Sequence, residues 1–207
     1  GEEHERVQFT LALGSVAKIG AQTYHVLGAM RRQDDEGETW DEYLLYSTQG
    51  PFFWLVESSE GWFRSQVLDD WPAPALPAVP AVQLDGVEYK RTWVYQARVL
   101  YAAGAFNWRV KAGDTVQVAE YEHGQNGLAA EHTPDELTWS RSSPVAEDQV
   151  RAWFGLAKPA AKAAAGKRLT NADIAWRALL WILGLNFIPL LFNFTATIFL
   201  LAAGLVA

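Results

Sequence analysis

Apolar residues recur at alternate positions along the first third of the chain, cut at short intervals by glycine and acidic turns. Between Gln8 and Gln33 the positions Val16, Ile19, Tyr24, Val26 and Leu27 are separated by Gly14 and Gly20. Asp34-Asp35-Glu36-Gly37 then reads as a charged hairpin tip, with glycine where positive φ is tolerated. Its acids make either a solvated turn or a cation site. Three runs follow, "TWDEYLLYS", "PFFWLVES" and "GWFRSQVL", rich in β-branched and aromatic residues. Their joints, Thr48-Gln49-Gly50 and Ser59-Glu60-Gly61, are too short for the crossover a parallel pair needs, so the runs form an antiparallel meander. Pro72, Pro74, Pro77 and Pro80 interrupt the pattern. Proline fixes φ and removes a donor, so this stretch is extended and stays out of a sheet interior. Beyond it the pattern resumes in "GVEYKRTWVYQARVLY", "AFNWRV", "GDTVQVAEYEH", "LAAEHT" and "ELTWSRS".

The two stretches of strand pattern share wording. Gly50 to Val56 reads "GPFFWLV" and Gly104 to Val110 reads "GAFNWRV", both G-x-F-x-W-x-V, and a Leu-Tyr pair precedes each. Aligned on this heptapeptide, Trp54 and Trp108 fall at equal positions, with Phe52, Phe106, Val56 and Val110 on the same core-facing side of a strand. Phe53 and Leu55 against Asn107 and Arg109 predict that the first copy is buried on both faces and the second on one. Gly20-Ala21-Gln22-Thr23-Tyr24 has a looser counterpart in Gly86-Val87-Glu88-Tyr89. The expected fold is mainly β: two tandem small antiparallel units of roughly five strands each, as meander, SH3-like barrel or sandwich. The first unit takes residues 1–71, a Pro-rich linker 72–80, and the second unit 81–157. Ser143-Pro144 is expected to start a short helix ending at Gly155, with Val150, Trp153 and Phe154 on one face to close the second unit.

The last part of the chain changes character. From Ala178 to Ala207 no residue is charged. Thirty helical residues span roughly 45 Å, more than the roughly 30 Å of a bilayer's hydrocarbon core. After a basic linker at 158–172, residues 173–207 are therefore expected to form an interfacial helix carrying Trp176, Arg177 and Trp181, then a transmembrane helix, with the break before Pro189. Asn186, Asn193, Thr197 and Gly204 recur at helical spacing, a stripe that suits packing against other membrane proteins or copies of the same chain.

Charge bears on partners. Residues 1–157 carry 23 acidic against 12 basic residues, an excess of 11 negative charges, which disfavours nucleic acid. Lys158, Lys162, Lys167 and Arg168 sit just before the apolar segment and place the β domain on the cytoplasmic side of the membrane. There is no cysteine, hence no disulfide or thiolate metal site. His4, His25, His123 and His132 match no ligand spacing, and no phosphate loop, dinucleotide fingerprint or nucleophile elbow occurs. No cofactor is expected. The remaining candidates are acids beside aromatic rings, Trp40-Asp41-Glu42 and Asp69-Asp70-Trp71, a pairing that holds organic cations through cation–π contacts backed by carboxylates.

The stretch Gly37 to Phe63 resembles the bacterial family called domain of unknown function 4178. The features that carry the likeness are Trp40, Glu42, Tyr43, Leu45 and Tyr46, then Trp54-Leu55-Val56, then Gly61 and Trp62. Further matches are Tyr95, Ala97, Val99, Gly104, Phe106, Trp108, Val110, Gly113 and Asp114. The resemblance implies a β-rich bacterial domain, often tied to a membrane helix. It also implies genes for polyamine-synthase-like and envelope-stress proteins nearby, and it brings no catalytic residue.

The functional expectation is a non-enzymatic adaptor or structural subunit of an envelope-stress type complex at the bacterial inner membrane. The lipid bilayer and other membrane proteins are its partners. The alternative is a sensor for small cations such as polyamines, and the third reading is an enzyme of unknown type.

Overall fold

The computed structural model describes residues 7–157. Ten strands and one helix follow in order: β1 (Val16–Ile19), β2 (Gln22–Gln33), β3 (Thr39–Tyr46), β4 (Phe53–Ser58), β5 (Gly61–Val67), β6 (Ala81–Leu84), β7 (Val87–Gly104), β8 (Thr115–His123), β9 (Asn126–His132), β10 (Leu137–Val145) and α1 (Glu147–Phe154). Each half of the β region forms a meander, mostly through short turns, with a longer loop over 105–114 between β7 and β8. The two opening hairpins are alike: Ile19 faces Gln22 across a turn with Gly20 at φ 61°, and Leu84 faces Val87 across Asp85 and Gly86 at φ 54° and 76°. In the second turn both central residues have positive φ, in the first only Gly20 does, and each arrangement gives a twist that matches the flanking strands.

The halves do not stand as two separate units. β5 pairs with β10 from Trp62↔Val145 to Val67↔Ser140, and β2 pairs with β7 from Gly28↔Gly104 to Gln33↔Arg98. The order β2-β3-β4-β5-β10-β9-β8-β7 thereby returns on itself as one closed eight-strand antiparallel barrel, with β1 and β6 attached outside it. Closure satisfies strand edges that each half would leave open alone. Local sequence pattern specifies hairpins, whereas these two closing pairings join segments far apart in the chain.

Side chains on the outer face of the ring build two similar cores. Ala17 opposes Tyr24 as Val82 opposes Tyr89, and Tyr43 opposes Leu55 as Tyr121 opposes Leu128. Trp62 stacks on Tyr43 at 5.9 Å between ring centroids, and Trp139 lies 5.4 Å from Tyr121. All of these side chains are buried. Phe9 and Leu11 lie over the first core, while Leu68 and Val79 of the connection between the halves pack on the second, beside buried Pro72. The proline-containing stretch is thus a cover as well as a joint.

Two expectations are corrected here. Ser143 and Pro144 are still in β10, and the helix starts after Ala146 without a side-chain cap; Gly155 ends it in the left-handed conformation. Its Val150 is buried in the first core, and Trp153 and Phe154 pack on that core. The helix therefore closes the first half, although the chain reaches it from the second. The second copy of the heptapeptide is not a strand either: β7 ends at Gly104, whose φ of 89° turns the chain, and the Ala105 amide bonds to Leu27 O at 2.8 Å. In the first copy Phe53, Trp54 and Leu55 are all buried, as strand β4 facing both sides requires.

The segment 173–207, with Asn186, Asn193, Thr197 and Gly204, lies outside the described residues. Among the described residues no helix is long and apolar enough to cross a membrane.

Candidate functional site

Strand alternation decides which side chains enter the ring. On β2, Met30 and Arg32 point in and Arg31 points out; on β3, Trp40, Glu42 and Leu44 point in and Asp41 points out. The interior begins apolar, with Met30, Leu44, Trp54 and Val99 packed together and joined by Phe52, Ala102, Phe106 and Val110. One step further along the strands it becomes charged.

Arg32 organises the charged part. Its Nη1 donates to Glu42 Oε1 at 3.1 Å and, across the ring, to Glu131 Oε1 on β9 at 2.7 Å. The Arg32 side chain is 6% exposed and that of Glu42 13%. The Trp40 indole Nε1 also donates to Glu42 Oε1, at 2.7 Å, and the guanidinium lies 5.9 Å from the Trp40 ring centroid. Tyr95 of β7 meets Trp40 edge-on at 6.0 Å and donates its hydroxyl to Glu120 of β8 at 2.6 Å. Buried Arg32 Nε has no partner among the described residues.

Burial sets the electrostatics of this cluster. It opposes the charge on Arg32, yet Glu42 and Glu131 outweigh it and push the guanidinium above its ordinary range. Burial likewise raises the Glu42 carboxyl, which Arg32 pulls back only in part. Glu120 is raised by burial, against the pull of the Tyr95 hydroxyl, with Glu122, Glu60 and Glu131 adding to the rise. Burial and then Glu120 push Tyr95 well up. A buried charge survives only when paired and hydrogen-bonded, and Arg32 is what keeps Glu42 in this interior, with Glu131, 37% exposed, completing the pairing from across the ring.

Of the residues singled out by their neighbours in sequence, Trp40 and Glu42 meet. Asp41 lies on the other side of the sheet, where Arg31 grips it through Nε at 2.7 Å and Nη2 at 2.8 Å. Asp69, Asp70 and Trp71 follow β5, Trp71 being 47% exposed. Among the described residues no hydrogen bond or ring contact joins them to Trp40, Asp41 or Glu42. The cation beside Trp40 and Glu42 is the protein's own Arg32. Arg32, Tyr95, Glu120 and Glu131 were not expected here. A signal did exist for the first: Arg31-Arg32 and Asp41-Glu42 flank one hairpin, whose register sets Arg31 across from Asp41 and Arg32 diagonal to Glu42. His123 Nδ1 lies 3.0 Å from Glu88 O, and among the described residues no group of three or more acids and histidines is placed to hold a metal ion.

Outside the barrel a run of apolar side chains stays exposed. Val16, His25 and Tyr46 are cross-strand neighbours, Leu27 follows His25 closely, and Leu13 lies against Gly104. Trp108 is also 47% exposed, with its ring 5.3 Å from that of interior Trp54.

The protein is thus a closed antiparallel barrel made of two similar halves and tied internally by an arginine between two glutamates. The family described as domain of unknown function (DUF4178) matches residues 12–147, well over half of the chain, and the chain belongs to that family. No curated protein and no solved structure matches it.

Proposed function

We propose that this chain is a non-enzymatic, membrane-tethered adaptor or structural subunit of a bacterial membrane complex, with its β barrel on the cytoplasmic side as the protein-binding part. The observation that carries the reading is the exposed apolar surface of Val16, Leu27 and Tyr46 on neighbouring strands with Leu13 beside Gly104, and Trp108 is exposed as well. Contiguous apolar surface of this kind marks interaction sites on soluble domains. The charged interior, by contrast, is already paired within the barrel. The uncharged stretch from Ala178 to Ala207 supports the tether.

The test is purification of the full chain in mild detergent. Membrane proteins are expected at constant ratio through gel filtration, and Leu27→Glu with Trp108→Glu should release them while circular dichroism stays unchanged. Retention by the folded double variant would overturn the reading. Asn193→Leu should weaken the same association through the membrane segment.

A cation-binding sensor remains the second reading, and it draws on the exposed Asp70-Trp71 pair. Calorimetry with spermidine at moderate salt should then show saturable binding that Trp71→Ala removes. Absence of heat in the wild type would sink it.

A further inference from the structure

The closed barrel keeps one notch in its wall. β7 is 18 residues long, and β8 pairs with it from Lys90 to Arg98. Its other edge is shared: β6 takes Val87 to Lys90 and β2 takes Arg98 to Gly104. Between them, among the described residues, no strand pairs with the second edge over Thr92–Ala97. Hydrogen-bond alternation fixes which groups that edge presents. Val99 bonds toward β8, its amide donating to Asp114 O at 2.9 Å and its carbonyl accepting from Gly113 N at 2.7 Å. Tyr95 and Ala97 share that direction, so the N–H and C=O of Val94 and Gln96 point into the notch. The side chains there are open: Trp93 is 59% and Val94 50% exposed.

We infer that this notch accepts an extended peptide from a partner protein as an added strand, completing the line between β2 and β6. The proposal rests on the adaptor reading and names what one of its contacts would be. Two features select the occupant. First, β6 and β2 stand at either end of the free stretch, so an identical notch on a second copy would collide with them, whereas a single strand of about six residues, roughly 20 Å, fits the gap. Second, charge is uneven along it. Exposed Lys90 and Arg91 lie at the β6 end, and Asp35, Glu36 and Glu38 of the β2–β3 turn lie beyond Gln33 at the other. β2 and β6 both run antiparallel to β7, and a strand following that direction starts beside the acidic turn and ends beside Lys90 and Arg91. The peptide that fits is therefore basic at its start, β-branched in the middle and acidic at its end. Main-chain pairing supplies affinity in such strand addition, and the alternate side chains supply specificity.

The probe is acetyl-Lys-Thr-Val-Thr-Val-Glu-amide, titrated against the full chain in detergent. Saturable binding is expected, with amide exchange at Val94 and Gln96 slowed at least tenfold. The charge-reversed peptide, with Glu first and Lys last, should bind at least threefold more weakly. Gln96→Pro removes a donor aimed at the notch and none aimed at β8, so it should keep the fold and cut binding at least tenfold. No binding to the folded wild type, or binding that Gln96→Pro leaves intact, would overturn the inference. If membrane proteins still co-purify in that case, the strand site fails alone and the adaptor reading stands.

Discussion

The indole rings of Trp54 and Trp108 lie 5.3 Å apart, centroid to centroid, so the two places where the chain writes G-x-F-x-W-x-V touch each other. Phe106 adds a stacked contact to Trp54 at 6.1 Å. One tryptophan belongs to a strand and is buried; the other belongs to a loop folded over it and stays half open.

The same residue type at matching sequence positions should therefore behave differently. Trp54→Ala is expected to cost about 3–5 kcal/mol, as for other buried aromatic truncations. Trp108→Ala removes one ring contact and little else, and should cost about 1 kcal/mol. Urea unfolding of the two variants measures this, and equal losses would contradict the assignment of Trp108 to the surface.

The Arg32 clasp makes a prediction in two parts. Arg32→Met leaves Glu42 and Glu131 in the barrel without their cation, and should destabilise by about 3–5 kcal/mol. Adding Glu42→Gln and Glu131→Gln to it should restore most of that loss, because the uncompensated charge goes too. A triple variant no more stable than the single one would show that Arg32 acts through packing.

Glu120 predicts a pH dependence. A carboxyl raised by burial in the folded protein contributes stability while protonated and loses it as pH rises through the interval from its unfolded value to its folded one. Glu120→Gln keeps an acceptor for Tyr95 and removes the buried charge, so the variant should be the more stable of the two near pH 7. The difference should shrink as pH falls toward about 4, close to the ordinary carboxylate value. A difference that does not change with pH would sink this account.

Gly28 has ordinary φ but no room. A Cβ built there would lie 2.6 Å from Ala105 O and 2.7 Å from the Phe106 ring. Gly28→Ala must push the loop away from the β2–β7 junction, at about 1–3 kcal/mol. Thermal melts should show it, with Gly20→Ala as the comparison that meets no neighbour but carries φ 61°.

Much of the architecture can be read from local chemistry. β3, β4 and β5 fall where aromatic and β-branched runs are separated by tight turns, and so do β8, β9 and β10. The relation between the halves is legible only in part, because it rests on Tyr24 with Tyr89, Glu42-Tyr43 with Glu120-Tyr121, and Trp62 with Trp139, whose spacings differ. The heptapeptide offers a stronger likeness and a wrong register, since Asn107 and Arg109 face solvent in a loop. Ring closure is not local at all: nothing near Gln33 announces Arg98, and nothing near Trp62 announces Val145. The charged interior follows from that closure. Trp40 and Glu42 stand out in the sequence, whereas Glu131 joins them only when the ring is complete.

The position of α1 also governs how the molecule is made. The lid of the first core is encoded after the last strand, so the leading half leaves the ribosome without its lid, without β10 beside β5 and without β7 beside β2. Its Tyr43 and Trp62 stay partly uncovered until the chain has been synthesised through Phe154. Contacts this distant in sequence slow folding, since loop closure must precede the gain from pairing. The ring can therefore close only late, once β10 and α1 have been made and as the uncharged segment that follows them is being translated.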